Sequence, residues 1–225
     1  ARERPDLMLD TLAHSLRQLL FIMLPAAAGL LALAAPIVGL VYERGDFTAL
    51  AAAQTARVVQ CYAPGLVLFS LLKVLVPVFY ARQDMATPVR IGLACTGLNV
   101  LLMLALMGPL KHAGLALANS LANLTYLVLL LEFLKRKIPC LREGGLFKFT
   151  LIILVSAGIM AVASYAVNGA LAARVQGFAG LLLQVGLAIT AGILVYAGAL
   201  FALYKEDARR IFKTAGEAAR RRRKS

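Results

Sequence analysis

The stretch VQGFAGLLLQVGLAITAGILVYAGALFALY, residues 175–204, contains no charged side chain. Residues 19–42 and 149–173 are likewise free of charge. A helix crosses the hydrocarbon core of a bilayer with about 20 apolar residues, because each residue adds ~1.5 Å. Each of the three runs is long enough to span a membrane, so the sequence predicts an integral membrane protein built from helices.

Three more apolar segments extend this pattern to six predicted spans. The hydrophobic fraction, 61% of 225 residues, exceeds the roughly half that is usual for a soluble domain. We therefore expect an all-α, polytopic transmembrane helix bundle with short polar loops and no soluble domain. The alanine-rich residues 48–57 also predict that the second helix starts early and projects beyond the bilayer. The predicted spans are residues 17–42, 55–81, 88–109, 113–134, 149–170 and 178–204.

Basic residues collect on one side of this predicted membrane. Of the 24 lysines and arginines, 19 fall in the N-terminus, the second and fourth loops and the C-terminal tail. Cytoplasmic loops of membrane proteins are enriched in lysine and arginine, so both ends of the chain are predicted to be cytoplasmic. The opposite side has only Arg44, Arg57, Lys111 and Arg174.

Other function classes find little support in the sequence. The basic tail, residues 205–225, is expected to be solvated or to lie against anionic membrane lipid. It lacks a series of stacking aromatic residues, so no nucleic acid partner is expected. The three cysteines have no metal-ligand spacing, and the only histidines, His14 and His112, lie near span ends. No catalytic set lies within a span, so we expect neither an enzyme nor a metal site.

Lys73 is a charge inside the second predicted span. A lysine at the centre of a span costs roughly 2.5–3.5 kcal/mol on insertion scales and often marks a functional site. The spans contain one acidic residue, Glu132 at the end of the fourth, so no acid in the interior of a span can pair with Lys73. Two interpretations stay open: the amine reaches the headgroups some 10 Å away, or it lines a cavity. The first two spans also contain two prolines each, which predicts kinked helices.

The turn ARQDMATPVR, residues 81–90, joins the second and third spans. Thr87 is predicted to cap the third helix, with Pro88 at its first position. Arg82 and Arg90 flank the turn, with Asp84 between them. The turn is either an ordinary charged connection or a basic rim for an anionic headgroup, since arginine binds phosphate bidentately.

Polar and small residues within the spans predict how the helices pack. An asparagine in hydrocarbon needs an interhelical partner, so Asn99 and Asn119 are expected to join the third and fourth spans. Their amide oxygens would also suit a hard cation. Pairs of small residues four apart predict close packing of the last two spans. These pairs are Ala157 with Ala161 and Ala188 with Gly192.

Four short segments occur in a set order along the chain: ERGDF at 43–47, LLKVLVPVFYARQD at 71–84, TPVR at 87–90 and KHAGLALA at 111–118. This order and spacing resembles the MurJ/MviN family of lipid II flippases over residues 12–140. Residues 141–225 match the family only in pattern, as two more spans and a basic end.

The resemblance implies a MATE-like fold of the multidrug/oligosaccharidyl-lipid/polysaccharide (MOP) flippase superfamily, with fourteen spans. This chain would supply spans nine to fourteen. Residues 1–140 would be four helices of the C-terminal lobe, and residues 141–225 two additional helices and the basic cytoplasmic tail. The first residues, ARERPDLMLD, look like the middle of a loop, so we expect a fragment whose partner is the missing N-terminal spans of the same protein.

The resemblance also implies transport of lipid II across the bacterial inner membrane by alternating access. Lys73 and Arg90 match basic family positions that line the cavity, and Arg82 and Asp84 lie beside them. The last two helices would form a groove for the lipid tail. The alternative is a related exporter of polysaccharide-lipid or drugs, although a proton-coupled drug exporter should carry acidic residues within its spans.

The resemblance bears on the coupling ion as well. Some family members bind sodium in this lobe, through an Asn-x-x-x-Asn or Asn-x-x-x-Asp pattern. Here Asn99 is followed four residues later by Met103, and Asn119 takes a position often held by threonine. The sodium site therefore looks incomplete. No cofactor is expected beyond a membrane potential or an ion gradient.

Overall fold

The computed structural model describes residues 5–42, 48–137, 144–172 and 177–222, with side chains placed over most of that range. The described residues form six helices: α1 (Pro5–Tyr42), α2 (Ala49–Ala81), α3 (Ala86–Leu110), α4 (His112–Lys137), α5 (Gly144–Ala172) and α6 (Gly177–Arg222). All six contain a segment long and apolar enough to cross a membrane. The predicted all-α architecture with six spans is confirmed.

The helices extend beyond the predicted spans. α1 begins at Pro5, before the predicted residue 17, and α6 continues to Arg222, past residue 204. Apolarity marks only the part of a helix that lies in the hydrocarbon, so it does not mark ends that continue into water. The early start of the second helix is confirmed: α2 begins at Ala49, where the N–H of Ala51 donates to Oγ1 of Thr48 at 3.3 Å. Helices α1 and α2 continue through their prolines.

α2 lies near the centre of the bundle. It packs against α1 on one side and α4 on another, and α3 packs mainly against α4. The α2–α4 approach is close because Gly65 lacks a side chain where the hydroxyl of Ser120 lies. That hydroxyl donates to the carbonyl of Cys61 at 2.9 Å. The largest cluster of buried residues joins these helices, with Leu75 and Phe79 of α2 against Leu130 and Leu134 of α4.

The last two helices form a pair that packs on α1. Ala157 of α5 and Ala188 of α6 are buried, and Gly192 lies directly against Ser164. Close packing of α5 and α6 through small residues is therefore confirmed. The Tyr196 hydroxyl of α6 donates to the carbonyl of Phe21 at 2.8 Å, which ties this pair to α1.

Candidate functional site

One face of α2 is left uncovered by the other described helices. Its residues recur every three or four positions, which places them on one side of a helix. The opposite side of α2 carries the buried core residues Leu72, Leu75 and Phe79. We call the exposed face the α2 stripe; it consists of Tyr62, Leu66, Phe69, Lys73, Pro77 and Tyr80.

Lys73 lies in the middle of the α2 stripe. Its Nζ lies 4.7 Å from the centroid of the Phe69 ring. Phe69 is one helical turn before Lys73, and so one turn further from the end of α2 at Ala81. The amine therefore turns away from the nearer helix end. A cation over an aromatic face is stabilised by about 0.5–2 kcal/mol, more as water is excluded. Among the described residues no carboxylate lies within salt-bridge distance of Lys73.

The turn after α2 is held by backbone hydrogen bonds. Gln83 adopts a positive φ of 60°, and the N–H of Asp84 donates to the carbonyl of Phe79 at 2.9 Å. The turn is also tied to α4, because the hydroxyl of Tyr126 donates to the carbonyl of Pro88 at 3.0 Å. Arg82 and Arg90 are both exposed at this end of the bundle.

The prediction that Thr87 caps α3 is wrong. The helix begins at Ala86, and the Thr87 N–H instead donates to Oδ1 of Asp84 at 3.1 Å. An aspartate is at least as good an acceptor for free N–H groups at a helix start as a threonine, and Asp84 lies one turn earlier. Pro88 accordingly occupies the third helical position, not the first. Asp84 therefore has a local role in shaping this turn.

The predicted site residues lie at two depths. Arg82 and Arg90 flank the turn, whereas Lys73 lies nine residues before Arg82, about 13 Å along the helix axis. The structure thus groups the two arginines with Asp84 at one end of the bundle and places Lys73 deeper in the span. Their part in substrate binding stays a prediction.

The structure agrees only in part with the expected link between α3 and α4 through Asn99 and Asn119. α3 and α4 do pack together. However, Oδ1 of Asn99 is buried without a hydrogen-bond partner in the part of the chain that the structure describes, and Asn119 is half-buried. The helix contact is made instead by apolar residues such as Ile91 and Leu127, and by Gly92 beside the Tyr126 hydroxyl. Over the same residues, no group of three or more His, Cys, Asp or Glu side chains could hold a metal ion.

A second feature was missed by sequence reasoning. At the other end of α2, a cavity of about 320 Å³ is lined by Gln54, Arg57 and residues 109–113, which run from the end of α3 to the start of α4. The charge count treated Arg57 and Lys111 only as residues of two separate loops. Their rarity on that side of the predicted membrane was the signal that could have drawn attention to them. The spacing of aromatic residues around Lys73 could likewise have revealed the α2 stripe.

The chain is similar over most of its length to proteins of one family. A family profile described as "Lipid II flippase MurJ" matches residues 1–203. A protein of Rickettsia prowazekii named "Probable lipid II flippase MurJ" is 36% identical over 149 residues, 66% of this chain and 29% of that protein. A protein of the same name from Bdellovibrio bacteriovorus is 30% identical over 202 residues, 90% of this chain and 38% of that protein.

The fold agrees with a solved structure. The chain superimposes on "Lipid II flippase MurJ, inward closed conformation" with a TM-score of 0.71 and 25% sequence identity, covering 87% of this chain and 39% of that one. The chain thus spans 29% to 39% of the length of these matched proteins. Since the family profile covers most of its length, this multi-pass bacterial membrane protein belongs to the lipid II flippase MurJ family.

Proposed function

We propose that this chain is the C-terminal part, spans nine to fourteen, of a flippase that carries lipid II across the bacterial inner membrane by alternating access. The family supports the substrate class. The observation that carries the proposal is the position of Lys73, exposed on the α2 stripe with its amine turned away from the near helix end. A lysine that reached for headgroups would extend towards that end, so this position favours a cavity over snorkelling.

Within this proposal, the stripe forms part of the wall along which the headgroup moves. Lys73 would attract the pyrophosphate as a point charge, and Phe69 and Tyr62 would offer aromatic faces to the sugars. Arg82 and Arg90 would form a basic rim where the headgroup enters, because arginine binds phosphate bidentately. Asp84 would hold the turn that presents these arginines, through its hydrogen bond to Thr87.

The proposal also assigns the two parts of the chain. Residues 1–140 form four helices of the C-terminal lobe, and residues 141–225 add two helices and a basic tail. Exposed apolar residues on α5 and α6, such as Val162 and Leu194, would suit a groove for the lipid tail. Both chain ends are cytoplasmic, in line with the distribution of basic residues. The remaining wall of the cavity comes from N-terminal spans of the same protein, and transport is driven by a membrane potential or an ion gradient without a cofactor.

The experiment that tests this function is transport by the full-length protein in liposomes. Lipid II with a fluorescent headgroup is placed in the inner leaflet, and its appearance outside is followed with a membrane-impermeant quencher. We expect full-length protein to move lipid II, while residues 1–225 alone do not, because they supply only one wall of the cavity. Movement of a cationic drug in place of lipid II would contradict the proposal, and so would transport by the 225-residue chain alone.

A further inference from the structure

The cavity at the start of α2 gathers positive charge from two parts of the chain. Arg57 comes from α2, while Lys111 comes from the connection between α3 and α4. Its lining contains no acidic side chain among the residues that the structure describes. Positively charged residues are sparse on this side of the predicted membrane, so two of the four falling into one cavity is a notable concentration.

The first turn of α4 adds to this positive character. α4 is 26 residues long and begins at His112, so the N–H groups of His112 and Ala113 have no acceptor within the helix, whereas that of Gly114 donates to the Lys111 carbonyl. His112 and Ala113 both line the cavity. The partial positive charge of a helix N-terminus favours an anion at this position. The last turn of α3, Pro109 and Leu110, lines the cavity too, and the partial charge of a helix C-terminus is negative. The preference for an anion therefore comes mainly from Arg57 and Lys111.

Lys111 adopts a backbone conformation that residues other than glycine seldom take. Its φ of 50° and ψ of −128° lie in a region that glycine adopts readily and other residues rarely do. The surrounding hydrogen bonds fix this conformation: its N–H donates to the carbonyl of Met107 at 3.0 Å, and its carbonyl accepts from Gly114 at 3.1 Å. A lysine retained in a backbone conformation that suits glycine, at the edge of a cavity, points to a use for its side chain.

We propose that this cavity binds a phosphate group, held by Arg57 and Lys111 at the N-terminus of α4. Arginine supplies a planar pair of donors and lysine a compact charge, a combination suited to phosphate oxygens. Arg57 lies about 24 Å along α2 from Lys73, so the site is separate from that lysine and does not depend on the proposed transport function. The phosphate can come from a soluble anion or from the headgroup of an anionic lipid.

Amine footprinting of the full-length protein tests this site independently of transport. The protein is placed in phosphatidylcholine nanodiscs, labelled with a water-soluble acetylating reagent, and each lysine is followed by mass spectrometry. We expect inorganic pyrophosphate to slow acetylation of Lys111 about tenfold, the effect of roughly 1.4 kcal/mol, while chloride at equal ionic strength does not. A second arm uses nanodiscs containing phosphatidylglycerol without pyrophosphate; protection of Lys111 there assigns the lipid headgroup as the source.

Two variants show whether the protection comes from this cavity. Arg57→Gln should abolish protection of Lys111, and Arg57→Lys should retain most of it. Arg136→Gln, at the far end of α4, removes an equal charge from an exposed pair with Glu132 and should change nothing. The proposal would be overturned if neither pyrophosphate nor phosphatidylglycerol slowed labelling of Lys111. It would also be overturned if they slowed this labelling as much in Arg57→Gln as in the wild-type protein. Acetylation of Lys73 is measured in the same spectra. A result that contradicts the phosphate site can therefore be told apart from one that contradicts the role of the α2 stripe.

Discussion

Replacing Gly114 with alanine should prevent α3 and α4 from packing as they do here. A methyl group at this position would lie 2.7 Å from the carbonyl carbon of Leu106 and nearer still to its oxygen. Those are backbone atoms, so they cannot swing aside as a flexible side chain can. Only Lys111 separates the two helices, which leaves little room for the pair to spread. Overpacking of this kind costs about 1–3 kcal/mol and occasionally more.

The effect should be measured in the full-length protein, as its abundance in membranes and its midpoint of thermal aggregation in detergent. Gly97→Ala in α3 is a matched control, because a methyl group there meets nothing within 4 Å. Alanine also favours helix over glycine by up to about 1 kcal/mol, so this control should be neutral or stabilising. Gly114→Ala protein as abundant and as heat-resistant as Gly97→Ala would refute the close approach of the two helices.

Removing the charge of Lys73 should have the largest effect on transport. A charge-assisted hydrogen bond contributes about 1.5–3 kcal/mol, so Lys73→Ala should reduce the rate of lipid II transport roughly 10- to 100-fold. Protein abundance should stay unchanged, because Lys73 lies outside the packed core. The assay is headgroup exposure in liposomes containing the full-length protein.

Two further variants show whether the charge of Lys73 is what matters. Lys73→Arg keeps the charge and should keep much of the activity. Arg136→Ala, which removes an exposed arginine with 72% of its side chain accessible, should transport normally. Equal transport by wild-type protein and Lys73→Ala would mean that the charge of Lys73 does not contribute to transport.

The membrane architecture could be predicted because charge and apolarity are strong local signals. The six spans follow from charge-free runs such as residues 175–204. The order of packing, with α2 between α1 and α4, could not be predicted in this way. In a bilayer, residues that face lipid and residues that face other helices are both apolar, so Leu93 on the exterior and Leu130 in the core look alike in sequence.

The candidate site was predictable only in part. Lys73 stood out because a charge in a span is costly. The cap of α3 was assigned to Thr87, although the competing acceptor Asp84 lay one turn earlier. The proposed phosphate site depends on residues 57 and 111 lining the same cavity, and on a backbone conformation of Lys111 that side-chain patterns do not reveal.

The central claim is that the α2 stripe faces a water-filled cavity in the full-length protein, not lipid. The direct measurement is the reaction of single cysteines with a charged, water-soluble thiol reagent, in protein whose own cysteines have been replaced. Phe69→Cys reports the stripe, and Leu93→Cys on α3, which is 75% exposed, reports a surface outside it. We predict rapid labelling at position 69, blocked by added lipid II, and little labelling at position 93. Labelling at position 69 as slow as at position 93 would contradict the account.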